Sequence, residues 1–263
     1  MTLTPITIDA ENYPAEFRPF LQDANIFDSS CSPEAKVIFI DKNSGYFLKT
    51  ASKGKLERQA IMTKYFHSKG LSSNVISYIS ADKDWLLTEK IPGEDCIAAK
   101  HLAHPERLVD ILAEQLVFLH SLDFASCPAR SHTEWLLATA KHNYKNGTYD
   151  KSSFQDGDSF GYKTADEAWT VVEKHGHLLQ CDTLLHGDYC LPNIMLHNWQ
   201  FSGFIDLDNS GIGDRHVDIF WCLWSLVWNL KTDKYRDRFI DAYGRSNVDK
   251  DMLKIVAAIE VFG

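Results

Sequence analysis

The chain lacks any run of about 18 apolar residues, so no membrane-spanning helix is expected. Its first twenty residues carry Asp9, Glu11 and Glu16 among prolines. No basic segment leads there into an apolar one, so they do not read as a secretory leader. Cysteine is scattered, at positions 31, 96, 127, 181, 190 and 222. No pair has Cys-x-x-Cys spacing and none stands at zinc-finger distance from a histidine pair, so the thiols read as incidental groups in a reducing cytoplasm. The pattern Gly-x-x-x-x-Gly-Lys-Ser/Thr is absent, which excludes a P-loop nucleotidase. An excess of positive charge is absent too: 27 Lys and Arg stand against 36 Asp and Glu, a net charge of −9. That argues against general nucleic-acid binding and is compatible with a cationic ligand.

What remains is an ordinary globular composition, with 44% hydrophobic and 24% charged residues in 263, enough for one large or two modest domains. The first ninety residues read as a small α+β unit. Residues 36–41 and 45–50 alternate as strands joined by hairpin chemistry at Asp41-Lys-Asn-Ser-Gly45. Residues 55–68 have a helical apolar period, and 74–80 and 85–91 are further strands. Pro92-Gly93 breaks the chain, so the lobe boundary is expected there, giving residues 1–91 and 92–263. The second part reads as mostly helical, over 105–122, 133–142, 164–175, 214–230, 233–243 and 249–262. Residues 145–163 read as a long polar loop.

The densest chemistry lies in His186-Gly-Asp-Tyr-Cys-Leu-Pro-Asn-Ile-Met-Leu196 and Phe201-Ser-Gly-Phe-Ile-Asp206. An Asp is followed five positions later by an Asn, and after a hairpin-length gap by a second Asp. Kinase-type phosphoryl transfer needs this inventory. Asp188 would meet the attacking hydroxyl, and orienting it suffices in a loose transition state. Asn193 and Asp206 would supply oxygens to the magnesium ion that bridges the phosphates. The spacing matches the catalytic loop of protein kinases, with Gly187 where they carry Arg. His186 reads as a packing residue.

Other candidates depend on that set. Lys49 ends a strand and would contact the α- and β-phosphates, with Glu57 at the start of the next helix as its orienting carboxylate. Their commoner fate is a solvated edge-strand lysine and a helix-surface acid. Ser32, in Ser29-Ser-Cys-Ser-Pro-Glu34, would cover phosphates where glycine is usual, although alone it is merely a turn. Asp208 reads as a supporting or exposed group. Asp214 reads as a helix N-cap, and Asp218 with Arg215 as a helix-surface or loop-bracing set. Trp221, Trp224 and Trp228 recur at three and four residues, which reads as core packing.

With these motifs the chain resembles the aminoglycoside phosphotransferase family, most closely its 3′-phosphotransferase branch. Gly213-Asp-Arg-His-Val-Asp-Ile219, Cys31 to Val37, Phe47-Leu-Lys49, Leu119 to Asp123 and Ile259-Glu-Val-Phe262 extend the similarity nearly end to end. The resemblance implies a bilobal protein-kinase-like fold, with ATP in the cleft, two Mg²⁺ ions and a bacterial cytoplasmic location. It implies that Phe47 stacks on adenine and that Glu89-Lys90-Ile91 hydrogen-bonds the base through its backbone. It further implies that Asp156, Asp158 and Glu260 face the drug's ammonium groups. Many members read Ile-Asp-x-Gly-Arg where this chain has Asp208 and Asn209, and the family-typical acid before Glu260 is Ile259 here.

The reaction expected is ATP-dependent phosphorylation of an aminoglycoside 3′-hydroxyl, with no nucleic acid or membrane partner. The alternative acceptor is another small alcohol: a macrolide, choline or a sugar amine. A nucleotide-binding pseudokinase is a third reading, opposed by the presence of Lys49, Asp188, Asn193 and Asp206 together.

Overall fold

The computed structural model describes residues 3–31, 35–152, 154 and 160–263. These form two compact units. The first joins residues 1–98 with 192–208, and the second joins 99–191 with 209–263. A break after residue 91 does not coincide with this division. Glu94–Asp95 pairs antiparallel with residues 195 and 196, so the chain beyond Pro92-Gly93 stays in the first unit, and residues 192–208 return to it.

The first unit is built on a six-stranded antiparallel sheet. Its strands are β1 (Thr4–Pro5), β2 (Asn25–Asp28), β3 (Ala35–Asp41), β4 (Tyr46–Ser52), β5 (Val75–Ser80) and β6 (Lys83–Glu89), in the order β1-β2-β3-β4-β6-β5. The turn between β3 and β4 has Asn43 at φ +55° and Gly45 at φ +92°, the left-handed geometry that a tight hairpin demands and that Asn and Gly supply most readily. Along β4 the side chains alternate. Leu48 enters a core with Phe17, Leu21, Ile26, Ile38, Ile40 and Leu87, while Phe47 and Lys49 share the opposite face.

That opposite face is covered by α2 (Glu57–Ser68), which follows a short α1 (Arg18–Leu21). Leu56 and Ala60 pack there with Val75 and Leu86, the residue paired across the sheet with Lys49. Asp84 anchors the start of α2 by accepting the Leu56 N–H at 2.8 Å, and it is itself wholly buried. Burial would raise its carboxyl, but the Leu56 N–H and the Ser80 hydroxyl hold it below its ordinary value. A second sheet of β7 (Glu94–Asp95), β9 (Ile194–His197) and β10 (Gln200–Phe204) completes the unit.

The second unit is helical. It contains α3 (Ala99–Leu102), α4 (Pro105–Ser121), α5 (His132–Asn146), α6 (Ala165–His175), α7 (His216–Leu230), α8 (Arg236–Tyr243) and α9 (Lys250–Glu260). A two-stranded ribbon of β8 (Thr183–Leu185) and β11 (Gly211–Gly213) holds the segments that flank the motif. Its core joins Leu136 and Ala140 with Ala168, Val172, Val217, Ile255, Val256, Ile259 and Phe262, the apolar stripes of α5, α6, α7 and α9. The expected α+β class, β-rich first and helical after, is what the chain adopts. β1 and β2 carry too little alternation to be read in advance. No helix among the described residues is long and apolar enough to cross a membrane.

Candidate active site

In the first unit, Lys49 Nζ donates to Asp206 Oδ1 at 2.7 Å. Asp206 follows β10 and has φ +60°, a left-handed conformation that costs about 1–2 kcal/mol in a residue with a Cβ. Its side chain remains 47% exposed, and Oδ2 carries no hydrogen bond among the described residues. Ile205, just before it, donates its N–H to the backbone oxygen of Asn193 at 3.0 Å, which brings the two oxygen-bearing residues of the motif together.

Mg²⁺ takes oxygen ligands and commonly keeps only one or two from protein, the rest coming from phosphate and water. A carboxylate with a free, exposed oxygen beside an Asn fits that demand. No cluster of three His, Cys, Asp or Glu side chains able to hold a metal occurs among the described residues, so a closed all-protein site is not offered.

Glu57 does not hold Lys49. It is exposed in the first turn of α2 and makes no ion pair with the lysine. A helix turn of about 100° per residue brings the next two positions inward instead. Arg58 Nε donates to the Asp208 backbone oxygen, and Gln59 Nε2 donates to Asp206 Oδ1 at 3.2 Å. Gln59 was not among the sequence candidates, although its place on the buried face of α2, beside Ala60 and Thr63, is a readable signal.

Phe47 lies two residues before Lys49 on the same strand face, with its ring 5.1 Å from that of Phe39. Of the N–H groups of Glu89-Lys90-Ile91, two are engaged: the Glu89 N–H goes to the Asn74 oxygen and the Lys90 N–H to the Gly45 oxygen. The Ile91 N–H makes no hydrogen bond among the described residues. Ser32, Asp156 and Asp158 lie outside the described residues.

In the second unit, Asp188 is half-buried on the loop after β8. Its N–H donates to His186 Nδ1 at 3.3 Å, and His186 is fully buried with its ring edge-on to Tyr189, the packing role expected of it. Gly187 has φ +84°, and a Cβ there would sit 2.0 Å from the Asn209 backbone oxygen. The arginine that protein kinases carry at this position therefore cannot be accommodated.

The loop is gripped by Asp218, for which the sequence left a helix-surface or a loop-bracing place open; the second is the one it takes. Asp218 is 0% exposed. It accepts the His186 N–H through Oδ2 and the Gly187 N–H through Oδ1, each at 2.8 Å. His120 Nε2 donates to the same Oδ2 at 3.1 Å, which leaves its Nδ1 to accept the Tyr243 hydroxyl at 2.8 Å. The available signal was a lone Asp on the buried stripe of α7, in register with Cys222 and Ser225.

Asp214 accepts the His216 N–H at 2.9 Å, as an N-terminal helix anchor should, and the Gln180 N–H at 2.7 Å. Burial works against its charge, yet the His216 and Gln180 hydrogen bonds hold its carboxyl below the ordinary value.

Glu260 ends α9 and is half-buried. It accepts the Trp221 indole N–H at 3.3 Å. Burial pushes its carboxyl up to about 8; the Trp221 hydrogen bond opposes the rise and the charge of Asp188 adds to it. The tryptophan series is only partly core: Trp224 and Trp228 stack at 5.5 Å, and Trp228 is 50% exposed under the Lys231 ammonium.

The family model described as "Phosphotransferase enzyme family" matches residues 27–254. A probable aminoglycoside 3′-phosphotransferase of Lactococcus lactis subsp. lactis (strain IL1403) is 50% identical over 262 residues, 99% of each chain. An aminoglycoside 3′-phosphotransferase of Niallia circulans is 28% identical, over 68% of this chain and 67% of its own. Among solved structures, an aminoglycoside-3′-phosphotransferase of type VIII superimposes with a TM-score of 0.76 at 20% identity, covering 96% of each chain. An aminoglycoside phosphotransferase from Streptomyces rimosus superimposes with a TM-score of 0.77 at 18% identity, covering 97% of this chain and 99% of that one. These likenesses establish the fold as the protein-kinase-like fold of the aminoglycoside kinases.

Proposed function

We propose, on the premise that the chain belongs to the phosphotransferase enzyme family, that it transfers the γ-phosphoryl group of ATP to the 3′-hydroxyl of an aminoglycoside antibiotic. One observation carries the reaction: a lysine ammonium on the exposed carboxylate Asp206, with the Asn193 backbone tied to its neighbour, which is the apparatus for a metal-bound nucleotide. The acceptor class rests on the 50% identity, across both chains, to a protein described as a probable aminoglycoside 3′-phosphotransferase.

In this reading Lys49 offers its charge to the phosphates, and Asn193 and Asp206 hold magnesium. The ion neutralises charge that develops on the transferring phosphoryl group. Phe47 gives its ring to adenine, and the unengaged Ile91 N–H serves the base edge. Ser32 serves in covering the phosphates. Asp188 receives the acceptor hydroxyl and orients it in line with the phosphorus. Glu260, with Asp156 and Asp158, attracts the acceptor's ammonium groups. Glu260 stands at a helix C-terminus, whose partial negative charge adds to the same field. The reaction belongs in the bacterial cytoplasm, where ATP and an entering drug meet.

The test is ADP release from the purified protein with ATP and Mg²⁺, against kanamycin, neomycin, a macrolide and choline in turn. Release with kanamycin and neomycin alone is expected. Release only with the macrolide or choline would reassign the acceptor. Binding of ATP with no turnover on any of them would favour a pseudokinase.

A further inference from the structure

Resting on the nucleotide site proposed above, we infer that Gln59 is the positioning residue for Lys49, its Oε1 being the acceptor that receives the lysine ammonium when Lys49 leaves Asp206 for a nucleotide. Gln59 is only 8% exposed. Its Nε2 donates to Asp206 Oδ1 at 3.2 Å, the same oxygen that Lys49 Nζ holds at 2.7 Å. Its Oε1 is buried and accepts no hydrogen bond among the described residues.

An amide has one donor end and one acceptor end, separated by little more than 2 Å. The donor end faces the carboxylate, as it must, because a carbonyl oxygen there would be repelled. The acceptor end is desolvated and gains nothing in this state, an arrangement that proteins rarely keep unless another state supplies a donor. The ammonium that shares Asp206 Oδ1 is the donor within reach. Lys49 carries three N–H groups, so it can serve a phosphate and Gln59 together.

The neutral side chain also sets the resting state. A carboxylate at position 59 would compete with Asp206 for Lys49; an amide does not. Lys49 therefore stays on Asp206 until a cation and phosphates part them, and Gln59 then holds it in register. Glu57, two positions earlier and exposed, is not placed to do this.

The test is calorimetric titration of a non-hydrolysable ATP analogue with Mg²⁺ into wild type, Gln59→Met, Gln59→Glu, Lys49→Ala and the Lys49→Ala/Gln59→Met double variant. Met keeps the length and removes both polar ends; Glu restores the acceptor. The expected result is about tenfold weaker binding for Gln59→Met, the scale of one lost hydrogen bond to a charged group. Gln59→Glu keeps an acceptor for Lys49 but sets a second carboxylate against Asp206, so it should bind more tightly than Gln59→Met and more weakly than wild type. The Met change should cost nothing further once Lys49 is gone, a coupling that general destabilisation does not produce. Kanamycin affinity should be unchanged in Gln59→Met, which shows that the chain is folded. Wild-type affinity in Gln59→Met, or a full tenfold loss that persists in the Lys49→Ala background, would overturn the inference. A wild-type chain with no affinity for the analogue would remove the nucleotide site itself, a failure distinguishable from the other two.

Discussion

Gly187 donates its backbone N–H to Asp218 Oδ1 at 2.8 Å, and Asp218 is wholly buried. The loop that presents Asp188 is thus held from behind by a carboxylate on α7, with His186 and His120 as its other donors. Removing one acceptor oxygen strands a backbone N–H in the interior. Asp218→Asn should cost roughly 2–3 kcal/mol, the scale of one hydrogen bond to a buried charged group. Urea unfolding measures that cost. Turnover should fall with little change in KM for ATP, because the loop and not the nucleotide site is loosened. A variant as stable and as active as wild type would show that the grip is dispensable.

Asp188→Asn keeps the shape of the loop and removes the group that orients the acceptor hydroxyl. Turnover should fall by about 10²–10⁴, the usual contribution of a positioned acid–base group. The affinity for ATP, measured by titration, should stay within about threefold. Equal kcat in variant and wild type would remove Asp188 from the reaction.

Asp206→Ala takes away a proposed magnesium oxygen and the resting partner of Lys49. The Mg²⁺ concentration for half-maximal rate should rise about tenfold or more, and Asn193→Ala should shift it in the same direction. An unchanged Mg²⁺ titration in Asp206→Ala would contradict the metal role.

Glu260 should make stability depend on pH. Its folded carboxyl, pushed up to about 8 by burial, lies above the ordinary 4.5. Between those values the folded chain holds a proton that the unfolded chain has lost. The contribution is therefore complete below pH 4.5 and is lost as pH rises through 8. Urea midpoints should fall from pH 5 to pH 9 more steeply in wild type than in Glu260→Gln, which cannot ionise. An ammonium-bearing acceptor favours the charged form, so kanamycin binding at pH 7 should release a proton. Calorimetry in two buffers of different ionisation enthalpy would detect that release, and its absence would take Glu260 out of the acceptor site.

The neutralisation of Asp156, Asp158 and Glu260 together should raise KM for kanamycin far more than KM for ATP. The difference should shrink as salt rises, because charge–charge attraction in water is screened over about 10 Å at 0.1 M. A triple variant with wild-type kanamycin KM at low salt would end the acidic-site account.

Much of this was legible because the motif residues are contiguous. Asp188 lies on the loop after β8, Asn193 directly before β9 and Asp206 two residues after β10, so short apolar strands flank all three, and Lys49 lies within an alternating strand. The partner of Lys49 was not legible, because a helix at 100° per residue makes Glu57 and Gln59 point apart, and sequence distance alone favours the acid. Asp218 was only half legible, its loop-bracing role being one of two left open. A buried carboxylate in an apolar helix looks like a surface charge until its three donors are found, and two of those are backbone N–H groups that no side-chain motif records. Trp228 shows the opposite error: a helical aromatic period reads as core, whereas its last member stands half in solvent beneath Lys231.

The central claim is transfer of phosphate to the 3′-hydroxyl of an aminoglycoside. The direct measurement incubates the chain with ATP, Mg²⁺ and either kanamycin or an aminoglycoside that lacks the 3′-hydroxyl, and locates the product's phosphate by phosphorus and proton NMR. A phosphomonoester at the 3′-oxygen of kanamycin and no product from the 3′-deoxy compound are expected. Phosphate found at another oxygen, or equal product from both compounds, would contradict that claim.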